Sequence, residues 1–97
     1  METILKLALT SSALHPTNPE VLWEKFSQIT KDRPYIKNAK RQRSGRIFFE
    51  VSDADFKRLR EALGILSKEL GAGGKSAHFD LYPRDIPGHR MTIFPSN

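Results

Sequence analysis

The 97-residue chain is long enough for one domain with a modest hydrophobic core, so we expect a single α+β domain over residues 1–97. It has no cysteine, which excludes disulfides, a thiolate nucleophile and cysteine-ligated zinc. No apolar run approaches the ~20 residues that span a bilayer. The first residues do not resemble a signal peptide, because Lys6 interrupts their apolar stretch. These features predict a cytoplasmic (intracellular) protein that does not enter a membrane.

The positive charge is concentrated in one segment. The chain has 16 basic and 11 acidic residues, for a net charge of +5. Residues 31–46 hold seven of the basic residues and only one acid, Asp32. The remaining nine basic and ten acidic residues leave the rest of the chain with a net charge of −1. A near-neutral domain with one strongly positive element is typical of a protein that attracts polyanions.

Hydrophobic periodicity predicts the elements of the first half of the chain. Residues 3–10 alternate, with leucine at every second position, and predict a half-buried strand. A helix begins with Asn18 as N-cap and Pro19 at its first position, and it ends between residues 30 and 32. A second strand begins at residue 34 and runs into the basic segment. Ser44 and Gly45 form the turn to a third strand at residues 46–51.

The second half predicts a further helix and a closing hairpin. Residues 52–55 have the spacing of a capping box, with Asp55 in place of the usual Glu or Gln. Apolar residues at helical spacing predict a helix from Phe56 to Leu70, and Gly71 is expected as its C′ residue. A fourth strand at residues 77–82 and a short final strand at residues 90–94 form a hairpin. The predicted fold is a ferredoxin-like, RRM-like two-layer sandwich, β-α-β-β-α-β with an extra C-terminal strand.

This order predicts a core between the sheet and two helices on one of its faces. The sheet side consists of Leu5, Leu7, Leu9, Ile47, Phe49, Val51, Phe79 and Leu81. The helix side consists of Leu22, Phe26, Ile29, Phe56, Leu59, Leu63 and Leu66.

Over residues 3–82 the chain resembles an RNA-recognition motif, in element order and in one segment. Residues 43–51, Arg-Ser-Gly-Arg-Ile-Phe-Phe-Glu-Val, are similar to the family's third-strand signature of a basic residue, Gly and alternating aromatics. With Gly45 on the signature glycine, Phe48 takes the second exposed aromatic position and Arg46 stands at the first. The first strand carries Ile4, Lys6 and Ala8 where the family usually has an aromatic residue. The resemblance implies a sheet face that binds RNA, with one of about three stacking residues present.

The basic segment and Phe48 are therefore the predicted binding residues of a non-enzymatic module for RNA or single-stranded DNA. Phe48 supplies a stacking face, unless the C-terminal hairpin or a second subunit covers it. The residues predicted to contact the phosphate backbone are Lys37, Lys40, Arg41, Arg43 and Arg46.

No catalytic, metal or cofactor site is predicted. His15, His78 and His89 have no short ligand spacing, so they do not predict a metal site. Residues 73–76 read Gly-Gly-Lys-Ser, but a helix precedes them and a strand follows, which reverses the context of a phosphate-binding loop. We expect no enzyme activity and no cofactor.

A second interpretation keeps the same basic hairpin but changes its partner. The chain would be a small protein-interaction module or inhibitor, of the kind that phages or mobile elements encode, docked on an acidic protein surface. Sheet edges also allow a homodimer through strand pairing. Nucleic acid that co-purifies with the protein and is removed by salt would distinguish the first interpretation from the second.

Overall fold

The computed structural model describes residues 3–11, 17–71, 79–84 and 92–94, and these contain five strands and two α-helices. A single 3-10 turn, Asp53–Asp55, precedes the second helix. No helix in these ranges is long and apolar enough to cross a membrane. The elements are β1 (Ile4–Ser11), α1 (Pro19–Thr30), β2 (Lys37–Arg41), β3 (Ile47–Ser52), α2 (Phe56–Leu70), β4 (Phe79–Pro83) and β5 (Thr92–Phe94).

The described strands form one sheet in the order β2-β3-β1-β4-β5, and every neighbouring pair is antiparallel. Both helices contribute to the same buried cluster as β1, β3 and β4, so they cover one face of the sheet. The predicted α+β class, the two helices and the antiparallel sheet are confirmed, in an outline compatible with a ferredoxin-like plan. The hairpin of the last two strands is also confirmed.

The core lies between the helices and this face of the sheet. Phe26 on α1 and Phe49 on β3 are fully buried, and their ring centroids lie 5.3 Å apart. The predicted sheet-side and helix-side positions are confirmed, with Leu5 and Phe56 only partly buried against the cluster. Ile36 adds to the core from the connection before β2.

The N-terminus of α1 is capped as the sequence predicts. Asn18 Oδ1 accepts hydrogen bonds from the backbone N–H groups of Glu20 at 2.9 Å and Val21 at 3.3 Å. At the other end, Arg33 Nη1 donates to the Ile29 carbonyl at 3.0 Å. This basic residue therefore satisfies a helix C-terminus, where carbonyls lack partners within the helix.

Three local predictions are wrong. Ser52 Oγ accepts from Ala54 N–H at 3.3 Å and starts the 3-10 turn, so the expected capping box is not formed. Gly71 has φ −69° rather than the left-handed conformation of a C′ glycine, because the chain leaves α2 in an extended conformation. β2 begins at Lys37 and not at residue 34, because Ile36 N–H bonds to the Arg33 carbonyl in a turn.

The turn between β2 and β3 is confirmed. Gly45 N–H donates to the Gln42 carbonyl at 2.9 Å, and Gln42 N–H donates to the Arg46 carbonyl at 2.8 Å. Gly45 has φ +90°, as expected of a three-residue hairpin loop that ends in a left-handed residue. A Cβ at this position would approach Pro19 Cβ to 2.9 Å. The hairpin loop therefore rests against the start of α1.

Candidate nucleic-acid interface

A β-bulge sets the orientation of the lysines on β2. Lys37 pairs with Glu50, and Lys40 pairs with Phe48. Between these pairs β2 has two residues and β3 has only one, so β2 contains one extra residue. Asn38 lies in the bulge and has a positive φ of 56°. Its Nδ2 donates a hydrogen bond to Glu50 Oε1 at 3.3 Å. Without the bulge, residues three apart on a strand would face opposite sides. Because of it, both lysines are in register with residues on the face opposite the helices, which we call the outer face.

One cross-strand row on the outer face carries two aromatic rings. Ala8 on β1 pairs with Phe48 on one side and with Tyr82 on the other. Lys40 extends the row onto β2. Phe48 and Tyr82 are both half-buried, so each is accessible in part. The row Lys40–Phe48–Ala8–Tyr82 therefore crosses four strands and places a ring on each side of β1.

Each ring has a guanidinium group over it. Arg84, the residue after β4, has its Cζ 4.8 Å from the centroid of the Phe48 ring on β3. Arg46, the residue before β3, has its Cζ 5.8 Å from the centroid of the Tyr82 ring on β4. The two arginines thus reach across β1 in opposite directions. Guanidinium groups stack well on aromatic faces because their charge is spread over a planar group.

Ala8 shows how closely these side chains cover the centre of the face. It has 0% exposure although it lies on the side of the sheet away from the helices. A small residue between two rings is shielded by its larger neighbours. The first strand therefore contributes no third ring, and the side chains of its neighbours cover this position.

Charged residues flank the aromatic row and give the outer face a positive balance. Arg84 Nη2 lies 3.6 Å from Glu50 Oε2, and Arg84 N–H donates to the Lys6 carbonyl at 3.0 Å. Thr10 and Asp80 pair on the other side of the row. Among described residues, the face carries two carboxylates and five cations, a net charge of +3; the cations are Lys6, Lys37, Lys40, Arg46 and Arg84.

The structure brings together four of the six predicted binding residues and separates two. Lys37, Lys40, Arg46 and Phe48 share the outer face. Arg41 pairs with the buried Ile47, so it is in register with the helix side of the sheet and is exposed at the β2 edge. Arg43 lies in the exposed hairpin loop. Arg41 therefore does not share the outer face with Lys40, because neighbouring residues of a strand alternate between its two faces.

The sequence prediction of the site omitted Tyr82 and Arg84. The signal was present, because burial of Phe79 and Leu81 on β4 implies that the residue following Leu81 faces outward. The contact of Arg84 with the Phe48 ring joins residues 36 positions apart in sequence and cannot be read from a local pattern. The same contact bears on whether Phe48 is free to stack or is covered, because Arg84, in the C-terminal part of the chain, covers some of the ring.

The β2 edge is poorly suited to pairing with another strand. Lys37, Lys40 and Arg41 are exposed along it, and the bulge interrupts its regular backbone. Charges and bulges at sheet edges disfavour strand addition. The homodimer expected from strand pairing stays a prediction, and the β2 edge does not support it.

In the described ranges, no group of three His, Cys, Asp or Glu side chains is positioned to hold a metal ion. His15, His78 and His89 lie outside the described residues, as does the Gly-Gly-Lys-Ser segment at 73–76.

Comparisons with known proteins identify no relative of this chain. No family model matches it, and neither the curated proteins nor the solved structures give a significant match. Its function is therefore inferred from the sequence and from the geometry of the outer face.

Proposed function

We propose that the chain is a non-enzymatic module of RRM-like build that binds RNA or single-stranded DNA on the outer face of its sheet. One observation carries this proposal: two aromatic rings lie in one cross-strand row, each with a guanidinium over it. Proteins that bind single-stranded nucleic acid commonly combine aromatic rings with nearby cations, because the bases stack on the rings and the phosphates pair with the cations.

The strand order supports the RRM-like assignment. β3 and β1 occupy the middle of the sheet with β2 and β4 outside them, and both helices pack on the other face. Phe48 therefore lies on a central strand and on the outer face, which the helices do not cover. An exposed aromatic in that position is where RNA-recognition motifs stack a base.

The phosphate contacts come from the β2–β3 hairpin. Lys37 and Lys40 are exposed on the outer face, and Arg43 projects from the loop that rests on Pro19. About five phosphate contacts would give a slope of log affinity against log salt of about −3.5 to −4.5. Contacts of this type position the strand without reading sequence, so we expect poor sequence specificity.

Base stacking on Phe48 requires Arg84 to shift. Its guanidinium lies over the ring at 4.8 Å and is held by a 3.6 Å ion pair with Glu50, with 23% of the Arg84 side chain exposed. An ion pair that solvent reaches is worth about 0–1 kcal/mol and a cation–π contact about 0.5–2 kcal/mol, whereas stacking of one base on an aromatic is worth about 1–3 kcal/mol. The exchange is therefore energetically accessible, and the displaced guanidinium can pair with a phosphate.

The direct test is fluorescence anisotropy with labelled single-stranded and double-stranded RNA and DNA of equal length, each at about 50 and 200 mM salt, the range over which such contacts weaken. We expect binding that weakens steeply with salt. Absence of binding to all four probes at the lower salt would falsify the proposal. The search would then turn to acidic protein surfaces as the partner of the basic hairpin.

A matched pair of double variants locates the surface. Lys37→Ala with Lys40→Ala removes two charges from the outer face, and we expect the salt slope to become shallower by about 1.4. Lys57→Ala with Lys68→Ala removes the same charge from exposed positions of α2, in the helix layer. The second pair should leave the slope unchanged. Equal losses in both pairs would point to diffuse charge attraction instead of a site on the outer face.

A further inference from the structure

The second ring of the outer face, Tyr82, lies beside Ala8 with a guanidinium near it, as Phe48 does, but it comes from a different strand. Both rings are half-buried, and each flanks Ala8 in the same cross-strand row. The β1 position where an aromatic residue would stand holds Ala8 instead, with 0% exposure. The outer face therefore has two rings, and the second belongs to β4.

The spacing of the rings restricts what can contact both of them. Neighbouring strands lie about 4.8 Å apart, so the backbones that carry Phe48 and Tyr82, with β1 between them, are about 9.5 Å apart. Successive bases of a duplex strand are stacked about 3.4 Å apart. Stacked neighbouring bases therefore cannot occupy both rings, and a duplex keeps its bases paired and stacked. Only a single strand with splayed bases fits the row.

We propose that Tyr82 is a second base-stacking position, so that the outer face binds an unstacked single strand through at least two nucleotides laid from β3 across β1 to β4. This inference rests on the proposed function and adds the strand type and the footprint. Arg46, whose Cζ is 5.8 Å from the Tyr82 ring centroid, moves from the ring to a phosphate as the base arrives. The five cations of the face neutralise the backbone on either side of the row.

Two substitutions at Tyr82 separate the ring from its hydroxyl. Tyr82→Phe keeps the ring and removes an oxygen that is buried without a hydrogen-bond partner in the described part of the chain. A buried hydroxyl of this kind does not stabilise the fold, so this variant should unfold at the wild-type temperature or above it. Tyr82→Leu keeps apolar bulk and removes the aromatic face.

The experiment measures anisotropy of labelled 12-residue oligouridine and oligothymidine on the wild type and on these two variants, with circular dichroism to check folding. We expect Tyr82→Phe to bind within twofold of the wild type and Tyr82→Leu to bind about tenfold more weakly. The salt slope should not change in either variant, because no charge is removed. A duplex of equal length should bind more weakly than the single strands and should be insensitive to Tyr82→Leu.

A second measurement uses the unmodified protein and so does not depend on how the variants fold. Titration with a uridine dinucleotide, followed by the aromatic proton resonances, should shift the ring signals of both Phe48 and Tyr82 upfield. A uridine mononucleotide should shift them less at the same concentration, because it can occupy only one ring at a time.

The possible failures are distinct. If Tyr82→Leu binds like the wild type while Phe48→Ala is weakened, the proposed function stands and the second position is wrong. If Tyr82→Phe loses as much affinity as Tyr82→Leu, the hydroxyl acts and not the ring face, which also overturns the inference. Equal binding of duplex and single strand overturns the strand preference. No binding by the wild type at low salt overturns the proposed function itself.

Discussion

The two faces of the sheet share the same strands but carry different chemistry. On the helix side, β3 contributes Ile47, Phe49 and Val51, all with 1% exposure or less. On the outer side the same strand contributes Phe48 and Glu50, both half-buried and both in contact with Arg84. One face is held together by apolar packing, and the other by rings, guanidinium groups and carboxylates. The stability of the protein should therefore depend on the first face and its ligand binding on the second.

The largest loss of stability is expected when the buried phenylalanine of β3 is truncated. Phe49→Ala should lower the free energy of unfolding by about 3–5 kcal/mol, because it leaves a cavity beside Phe26 in the core. Urea denaturation followed by the fluorescence of Trp23 measures the loss. A cost below about 1 kcal/mol would show that the core is not organised around this ring.

The loop between β2 and β3 should be the next most sensitive to substitution. Gly45→Ala places a side chain at φ +90° and within 2.9 Å of Pro19 Cβ, so it should cost about 1–3 kcal/mol. Gly64→Ala is the matched control: a Cβ there meets nothing within 4 Å, and alanine favours the helix by about 0.5–1 kcal/mol. Thermal unfolding should show a lower midpoint for Gly45→Ala and a higher midpoint for Gly64→Ala than for the wild type. Stabilisation by both substitutions would mean that the loop does not rest on α1.

On the outer face, Phe48→Ala should cost only about 1 kcal/mol of stability, since the ring is half-buried. The same variant should bind single-stranded RNA or DNA about tenfold more weakly, because it loses a stacking face. Denaturation and anisotropy on one preparation give both values. Unchanged binding with retained folding would remove Phe48 from the site.

The smallest effect is expected at Glu50. Glu50→Gln weakens the 3.6 Å pair with Arg84, which should cost less than about 1 kcal/mol. It also raises the net charge of the outer face and frees Arg84 to leave the Phe48 ring, so binding to single strands should become about two- to threefold tighter. Weaker binding by this variant would show that the carboxylate contacts the ligand or holds Arg84 in its binding position.

The comparison of the faces also separates what the sequence could predict from what it could not. The inward positions follow from periods of two and of 3.6 residues, which is why the buried apolar residues of β3 and the buried leucines of α2 are predicted correctly. The contacts of the outer face follow from register between strands that are distant in sequence. Arg84 and Phe48 meet only because β4 and β3 both pair with β1. Sequence periodicity carries no information about such neighbours.

The bulge on β2 is the other feature that a local pattern could not supply. A regular strand would have placed Lys37 and Lys40 on opposite faces, so their shared face could not be predicted from their spacing. The bulge has one local signal in the sequence: Asn38, which has a positive φ here, tolerates that conformation better than most residues. Gly71 gave the opposite error, since a glycine after a helix suggested a left-handed residue and the chain instead leaves in an extended conformation.

The same bulge affects how the length of this hairpin can vary during evolution. Ile36 is 7% exposed within the core, and Lys37 immediately after it faces outward against Glu50. Deletion of Asn38 or Ala39 would leave one residue between the two lysines, opposite one residue of β3. A regular strand would then keep Lys40 opposite Phe48 and Lys37 opposite Glu50, and Ile36 would still face the core. Homologues with a single-residue gap here are therefore expected to retain both faces of the strand. Length changes should also occur in the loop at 42–44, where the side chains of Arg43 and Ser44 are exposed.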